Sequence, residues 1–480
     1  MDIDADSIQV ERHIAQEIMK QKIIFCFRDS DELVMYNNGY FHPNMIAETE
    51  IRELIDIHAK DIEVFHSSVK KPNPKPYRIN PSARNTIFEM IRASNFCNRI
   101  EFRPPNTCIF CKNGIYHTDL QAFHSYKQYE YDPYKTTYQL PVDYDPKATT
   151  KIWDQFIVDI AGRERIELIY EMIGYFLMPH IKYQKAFILH GPPSSGRTTL
   201  IDAIINFLGG EYWYLYISNI KLQDLEDKFE FAELRDKILN VFDDLDVTEI
   251  TTSEKFRISV TNKHLRGPIK HVQDWISWWN RVKHLFSCND LPNLKRDPGI
   301  QFWRRWILIS CFSEFKDKEL MTQSDYDDPN IFEKDLNMYE KLTTPEALSG
   351  LLNRVIQGWR YLEKNKHFPK KWDDIDYISG LWMININPVK LFVDECCLKD
   401  DTFEVDYEIF YKTLNDFRKS KNAQEITRNM MTRSMKMLRI PNFNDNKELK
   451  KKYHPESCGR NYVGIKLKEE VFKRLTLIRY

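Results

Sequence analysis

One stretch limits what this chain can fold into: Ala186-Phe-Ile-Leu-His-Gly191-Pro-Pro-Ser-Ser-Gly196-Arg197-Thr198-Thr199-Leu200. A short apolar run, a glycine-bracketed turn and the periodic segment "TTLIDAIINFLGG" read as strand, loop and helix. In that layout backbone N–H groups and a helix N-terminus converge on phosphate oxygens. The pattern G-x-x-x-x-G-K-[ST] is met at every fixed position but one, because Arg197 stands where lysine belongs. The spacing assigns Gly191, Pro192, Pro193, Ser194, Ser195, Gly196, Arg197, Thr198 and Thr199 to a nucleotide cradle, with Thr198 as a Mg2+ ligand. Arginine keeps the charge of lysine, but its planar fork is bulkier and its donors point differently. Nucleotide binding is therefore expected to survive, while turnover falls by ~10- to 1000-fold, since positioning carries most phosphoryl-transfer catalysis.

Composition frames this motif. At 480 residues, two to four domains are expected, and 42% hydrophobic content supports ordinary folded cores. The net charge of −1 excludes a global basic field, so nucleic-acid binding must come from local basic surfaces. No apolar run approaches the ~18 residues that span a bilayer, and the acidic start "MDIDADSIQVERH" is unlike a signal peptide. Nine scattered cysteines point to a reducing, intracellular setting.

Ahead of the P-loop, "IQVERHIAQEIMKQ" and "AETEIRELIDIHAK" carry helical spacing, and "LVMYNNGYFHP" reads as a hairpin turned at Asn37-Asn38-Gly39. The proline-rich segment with Lys70, Lys71, Lys75, Arg78 and Arg84 reads as a solvated loop before it reads as a phosphate contact. Cys108-Ile-Phe-Cys111, with no second pair at ribbon spacing, fits buried core thiols better than zinc. "TKIWDQFIVDIAGRERIELIYEMIGYFLMPH" predicts two amphipathic helices closing at Pro179.

Beyond the P-loop, "RDKILNVFDDLDVTE" predicts a buried strand delivering Asp243 and Asp244 about 45 residues after the phosphate loop. A doubly wound sheet would set the two strand ends side by side. One acid would orient Mg2+, and its neighbour would activate water. "VKHLFSCNDLPNL" is a further short strand ending at Asn289, which either reads the γ-phosphate or simply forms a turn before Asp290. "GIQFWRRWILISCF" sets Arg304 and Arg305 just before another strand. Paired arginines are surface charges in most settings, and here they are candidates for a finger reaching a neighbouring subunit.

These motifs, in this order, resemble the superfamily 3 helicases, closest to the viral and plasmid primase-helicase group of poxviruses, phages and archaeal plasmids. "NGIYHTDLQAFHSY…TTYQLPVDYDPKA" is similar to that group's pre-helicase domain, "IYEMIGYFLMP" to its helix before the P-loop, "NVFDDLD" to its Walker B strand, "LFSCNDLP" to its motif C and "FWRRWILI" to its arginine-finger segment. The resemblance implies an α/β AAA+ P-loop ATPase core, a cofactor pair of ATP and Mg2+, and a ring, by analogy a hexamer. It also implies a basic β-hairpin between Walker B and motif C that enters the ring's pore. Lys270 and His271 are candidates for its tip, with Lys263, His264 and Arg266 beside them. Trp275, Trp278 and Trp279 offer stacking surfaces to bases or, more blandly, packing.

The tail is similar to the winged-helix domain common in this group. Residues 401–480 hold 18 Lys/Arg against 11 Asp/Glu, and Arg428, Arg433, Lys436 and Arg439 lie at roughly helical spacing. Lys450-Lys451-Lys452 is either the wing or a solvated loop. The expected organisation is an α-rich N-terminal α+β pre-helicase domain over 1–150, a helical collar over 151–182 and the ATPase core over 183–315. A helical lid over 316–375 and a C-terminal winged-helix domain over 376–480 complete it.

The expected function is an ATP-dependent replicative DNA helicase of a virus or plasmid, working as a homo-oligomer in the cytoplasm of a host cell. Single-stranded or forked DNA would be its substrate and a separate primase a further partner, with no membrane. The alternative is a non-catalytic origin-binding or loading protein that uses nucleotide structurally.

Overall fold

The computed structural model describes residues 2–4, 9–65, 75–128, 134–246, 250, 253–268, 275–294, 299–386, 389–420, 425–438 and 461–469. Of the basic positions singled out above, Lys70, Lys71, Lys270, His271, Arg439 and Lys450 to Lys452 lie outside these residues.

In the N-terminal region three amphipathic helices, Gln9–Gln21, Asn44–Lys60 and Pro81–Arg92, bury Ile14, Ile18, Ile51, Ile55, Ile87 and Phe88 together. A four-stranded sheet flanks them, and its hairpin joins Leu33–Asn37 to Tyr40–His42. The expected turn is formed by Asn38 (φ 49°) and Gly39 (φ 96°), the paired left-handed conformation that lets a two-residue loop follow the strand twist. The strands Cys108–Cys111, Gly114–His117 and Ala122–Ser125 then build an antiparallel meander. Cys108 and Cys111 are buried in it, and Cys108 Sγ lies 3.5 Å from His117 Nδ1. Among the described residues no group of three or more His, Cys, Asp or Glu side chains is arranged to hold a metal ion.

Helices α1 (Lys151–Ala161) and α2 (Ile166–Leu177) form the collar. The central layer is a five-stranded sheet of β1 (Ala186–His190), β2 (Ile217–Ser218), β3 (Leu239–Phe242), β6 (Lys283–Cys288) and β7 (Trp306–Ser310). Its spatial order is β2-β3-β6-β1-β7, with every pair parallel. Strands β1, β6 and β7 are buried at every position, which is why they read as continuous apolar runs rather than alternating ones. Between β3 and β6 the chain leaves the sheet as a hairpin of β4 (His264–Pro268) and β5 (Trp275–Trp279).

One expectation about the sheet is corrected. The phosphate-loop strand β1 and the acid-bearing strand β3 are not neighbours, because β6 lies between them. All six residues of β6 are buried, so it takes a central position, while the two-residue β2 takes an edge.

Past β7 the chain is not purely helical. A short parallel pair, β8 (Glu314–Lys316) and β9 (Ile331–Glu333), precedes the long helix α4 (Pro345–Asn365). Helix α4 crosses α2 at glycines: a Cβ on Gly174 would sit 2.8 Å from Trp359 N, and one on Gly358 2.7 Å from the Tyr170 carbonyl. The C-terminal region pairs strand Cys397–Asp406 antiparallel with Asn461–Leu467, around helices Tyr407–Ser420 and Arg428–Met437. No helix among the described residues is long and apolar enough to cross a membrane.

Candidate active site

The phosphate loop leaves the C-terminal end of β1 and enters helix α3 (Arg197–Gly209) at Gly196. Its curvature depends on left-handed backbone at Ser194 (φ 59°) and Gly196 (φ 80°), which turns successive N–H groups into a concave anion nest. Gly191 has a separate reason to be glycine, since a Cβ there would overlap the Cys311 carbonyl. Phe315 N donates to Ser194 O at 2.8 Å and fastens the loop to β8. Ser195 Oγ is buried in the loop without a partner, an orphan that fits a site built to receive acceptor oxygens.

Thr198, at the start of α3, donates through Oγ1 to Asp243 Oδ2 at 2.7 Å. Ser287 Oγ donates to the other oxygen, Asp243 Oδ1, which also accepts from Asp244 N at 3.0 Å. Asp243 is thus fixed from both sides beside the helix N-terminus. Asp244 is exposed and held at φ 60°, a conformation rare for a residue with a Cβ and typical of over-determined functional positions. One turn into α3, burial and then the nearby Asp243 raise the Asp202 carboxyl above its ordinary range.

Arg197 does not project from the loop. Its side chain is buried, Nη2 donates to Asn289 Oδ1 at 2.5 Å and to Pro192 O at 3.2 Å, and Nη1 donates to the Cys288 carbonyl. Arg197 and the polar residue that follows β6, Asn289, are therefore bonded to each other.

The two candidate finger arginines separate. Arg305 is buried, donating to Thr261 Oγ1 at 2.7 and 3.0 Å and to the Gln301 carbonyl. Burial, then Arg304 and Arg257, lower it to about 10. Arg304 is exposed. It precedes β7, whose Trp306 pairs with Ala186 and whose Ser310 pairs with His190. It thus stands at the edge where β1 begins, about 16 Å along the strands from the edge where the phosphate loop emerges, at ~3.3 Å per residue.

A cavity of about 460 Å³ opens between the phosphate loop and the segment after β7. Phe156, Phe315, Phe332, Met338 and Tyr339 line its apolar side. Phe315 and Phe332 are stacked, with ring centroids 5.5 Å apart at 27°. The size and the mixture of an anion nest with aromatic walls suit a nucleotide. Sequence reasoning missed this wall and Ser287. Three-residue strands leave no periodic signal, whereas a lone serine inside the apolar run "HLFSC" is a signal that could have been read.

Of the expected DNA contacts, Lys263 is exposed at the base of the β4–β5 hairpin. Arg428 is exposed but engaged, donating to Glu408 at 2.8 and 3.2 Å and lying over the Tyr411 ring at 4.4 Å. Arg433 and Lys436 belong to the same helix, Arg428–Met437, and their side chains lie outside the described residues. Of the three tryptophans, Trp278 is core, Trp275 is exposed, and Trp279 is half-buried beneath Arg103.

A family model described as "Family of unknown function (DUF5906)" matches residues 189–305, the span from the phosphate loop to the arginine pair. No curated protein matches the chain. Among solved structures, an A-form apo structure of the NrS-1 C-terminal region is similar at TM-score 0.44 and 11% identity, over 79% of each chain. A further apo structure of that region is similar at TM-score 0.42 and 11% identity, over 81% of each chain.

Proposed function

We propose that this chain is an ATP-hydrolysing DNA translocase of the superfamily 3 helicase type. In this reading residues 183–315 form an AAA+ core and 376–480 a winged-helix DNA-binding domain. The observation that carries the reading is the Thr198–Asp243 pair beside the anion nest, 2.7 Å apart and drawn from the start of α3 and the end of β3. A hydroxyl and a carboxylate so disposed are the two side chains a P-loop site needs to hold Mg2+, which when bound neutralises charge on the β- and γ-oxygens.

The chain's own residues divide the remaining work. Backbone N–H groups from Ser194 to Thr198 orient the phosphates. Ser287 and the Asp244 amide hold both the side chain and the aim of Asp243 through its Oδ1. Asp244, exposed at the lip, accepts the proton of attacking water. The aromatic wall of Phe315 and Phe332 takes the base. Arg304 is exposed at the strand edge opposite its own phosphate loop, so its charge is assigned to a nucleotide held by a second copy, and a ring oligomer is the arrangement in which every site is completed that way.

The test is phosphate release by the full chain with Mg2+-ATP, with and without single-stranded or forked DNA. DNA-stimulated release is expected, and a rate indifferent to DNA sinks the proposal.

The inward fold of Arg197 favours a second reading, a non-catalytic loading or origin-binding ring that uses nucleotide structurally. Binding of ATP without any release, in wild type and in Arg197→Lys alike, would select it.

A further inference from the structure

The nucleotide cavity has a third side besides the phosphate loop and the aromatic wall, the C-terminal half of α1. A Cβ on Gly196 would meet Ile160 Cγ2 at 2.8 Å, Phe315 Cε2 at 3.2 Å and Phe156 Cε2 at 3.7 Å, so α1 and the wall both abut the phosphate loop. Asp159 and Ile160 lie one helical turn beyond Phe156, which sets all three on the same flank of α1. Asp159 lines the cavity there, and its carbonyl accepts from Ser313 Oγ, which ties this turn to the segment after β7.

The carboxylates around the cavity are not alike. Glu333 is paired with Lys318 at 3.3 Å and Asp335 with Lys341 at 2.5 Å, while the cavity's lysine, Lys334, is paired with Asp317 at 3.5 Å. Arg197 is turned inward to Asn289. Asp159 is half-buried and, among the described residues, has no cation partner. Its Oδ1 accepts from Gln155 Nε2 at 2.6 Å, and no group among the described residues donates to Oδ2. Burial raises its carboxyl above the ordinary range, and the Gln155 bond offsets only part of that. A carboxylate half withdrawn from water, with an open oxygen and no cation, calls for a neutral donor.

A nucleoside triphosphate offers such a donor at this point. With its phosphates in the nest and its base on Phe315 and Phe332, the ribose falls between them, beside Asp159. We propose that Asp159 reads the ribose: its Oδ2 accepts from the 2′-hydroxyl, and the site thereby selects ribonucleotides over 2′-deoxyribonucleotides. The pairing of carboxylate with hydroxyl is the one by which dinucleotide-binding sheets hold ribose. This rests on the nucleotide-binding reading above and adds to it a residue that sequence reasoning left inside an amphipathic helix.

The test is calorimetric binding of Mg2+-ATP and of Mg2+-dATP to the full chain. The wild type is expected to bind ATP about 10- to 100-fold more tightly, the worth of one hydrogen bond to a charged group. Asp159→Ala should lower the affinity for ATP to that for dATP and leave the affinity for dATP near wild type. Asp159→Asn keeps the shape and a neutral acceptor and should retain part of the preference, so a folding defect in the alanine variant does not decide the outcome. Equal wild-type affinities for the two nucleotides overturn the ribose contact and spare the nucleotide reading. An equal loss of ATP and dATP binding in both variants also overturns it and makes Asp159 a base contact or a packing residue. Failure of the wild type to bind either nucleotide overturns both readings.

Discussion

Arg197 and Asn289 are bonded to each other across the candidate active site, guanidinium Nη2 to amide Oδ1 at 2.5 Å, and the same guanidinium also holds the Cys288 carbonyl. A P-loop cation so engaged is not directed at phosphate, and Asn289 cannot meet a γ-phosphate until that bond opens. Breaking one charge-assisted hydrogen bond costs about 1.5–3 kcal/mol, roughly a 10- to 100-fold barrier in rate. Lysine lacks the second arm that spans both acceptors. Arg197→Lys is therefore expected to raise single-turnover phosphate release by at least about tenfold. An unchanged or slower rate would show that the latch does not limit the chemistry.

Asp243 is gripped by Thr198 and Ser287, so the face proposed to hold Mg2+ is preformed in the folded chain. Thr198→Ala and Asp243→Asn are each expected to cut Mg2+-dependent release by about 100-fold or more, since in the proposed function both would hold the ion that neutralises transition-state charge. Nucleotide binding measured by calorimetry without Mg2+ should change little for Thr198→Ala. An equal loss of binding with and without Mg2+ would instead mark Thr198 as a direct phosphate contact.

The adjacent arginines call for opposite outcomes. Arg304→Ala should leave the melting temperature and nucleotide affinity near wild type while abolishing release. Mixing it with Asp243→Asn should restore part of the activity at mixed interfaces, which a site closed within one subunit cannot do. Arg305→Ala removes a buried group bonded to Thr261 and Gln301 and should cost about 2 kcal/mol of stability. Thermal unfolding of the two variants side by side distinguishes them.

Much of this site was legible because its parts have strong local causes. "AFILH" and "HLFSC" are buried at every position because parallel strands are covered on both faces, and Asp243 and Asn289 follow directly on the strands "LNVF" and "KHLFSC". Asn38-Gly39 and Gly196 carry the left-handed backbone their motifs demand. The sheet order was not legible, since it depends on which strand is most completely buried, a tertiary quantity. Nor was the wall of Phe315 and Phe332, because β8 and β9 pair across a connection and have no repeat of their own. The arginine pair shows the same limit: of two identical neighbours one is exposed, while the other is buried against Thr261 and the Gln301 carbonyl.

Glu171 makes a prediction about pH. It sits on α2 where α4 packs closest, only 4% exposed, with Oε2 unpartnered. Burial, followed by the charge of Glu167, pushes its carboxyl up to about 8 from an ordinary 4.5. Between those values the folded state holds a proton that the unfolded state has released, so stability falls as pH rises through this window. The loss approaches something on the order of 4 kcal/mol by pH 8. His180 works in the opposite sense, since burial lowers it to about 4, and its contribution is lost as pH falls from 6.5 toward that value. Glu171→Gln removes the first effect and leaves the second, so the difference between the variant and wild type isolates the carboxyl. The two should be nearly equally stable at pH 5, where Glu171 is protonated, and the variant should be the more stable by pH 8. Urea titrations at both values measure this. Parallel stability curves would mean that Glu171 finds a compensating partner when ionised and that the α2–α4 crossing tolerates its charge.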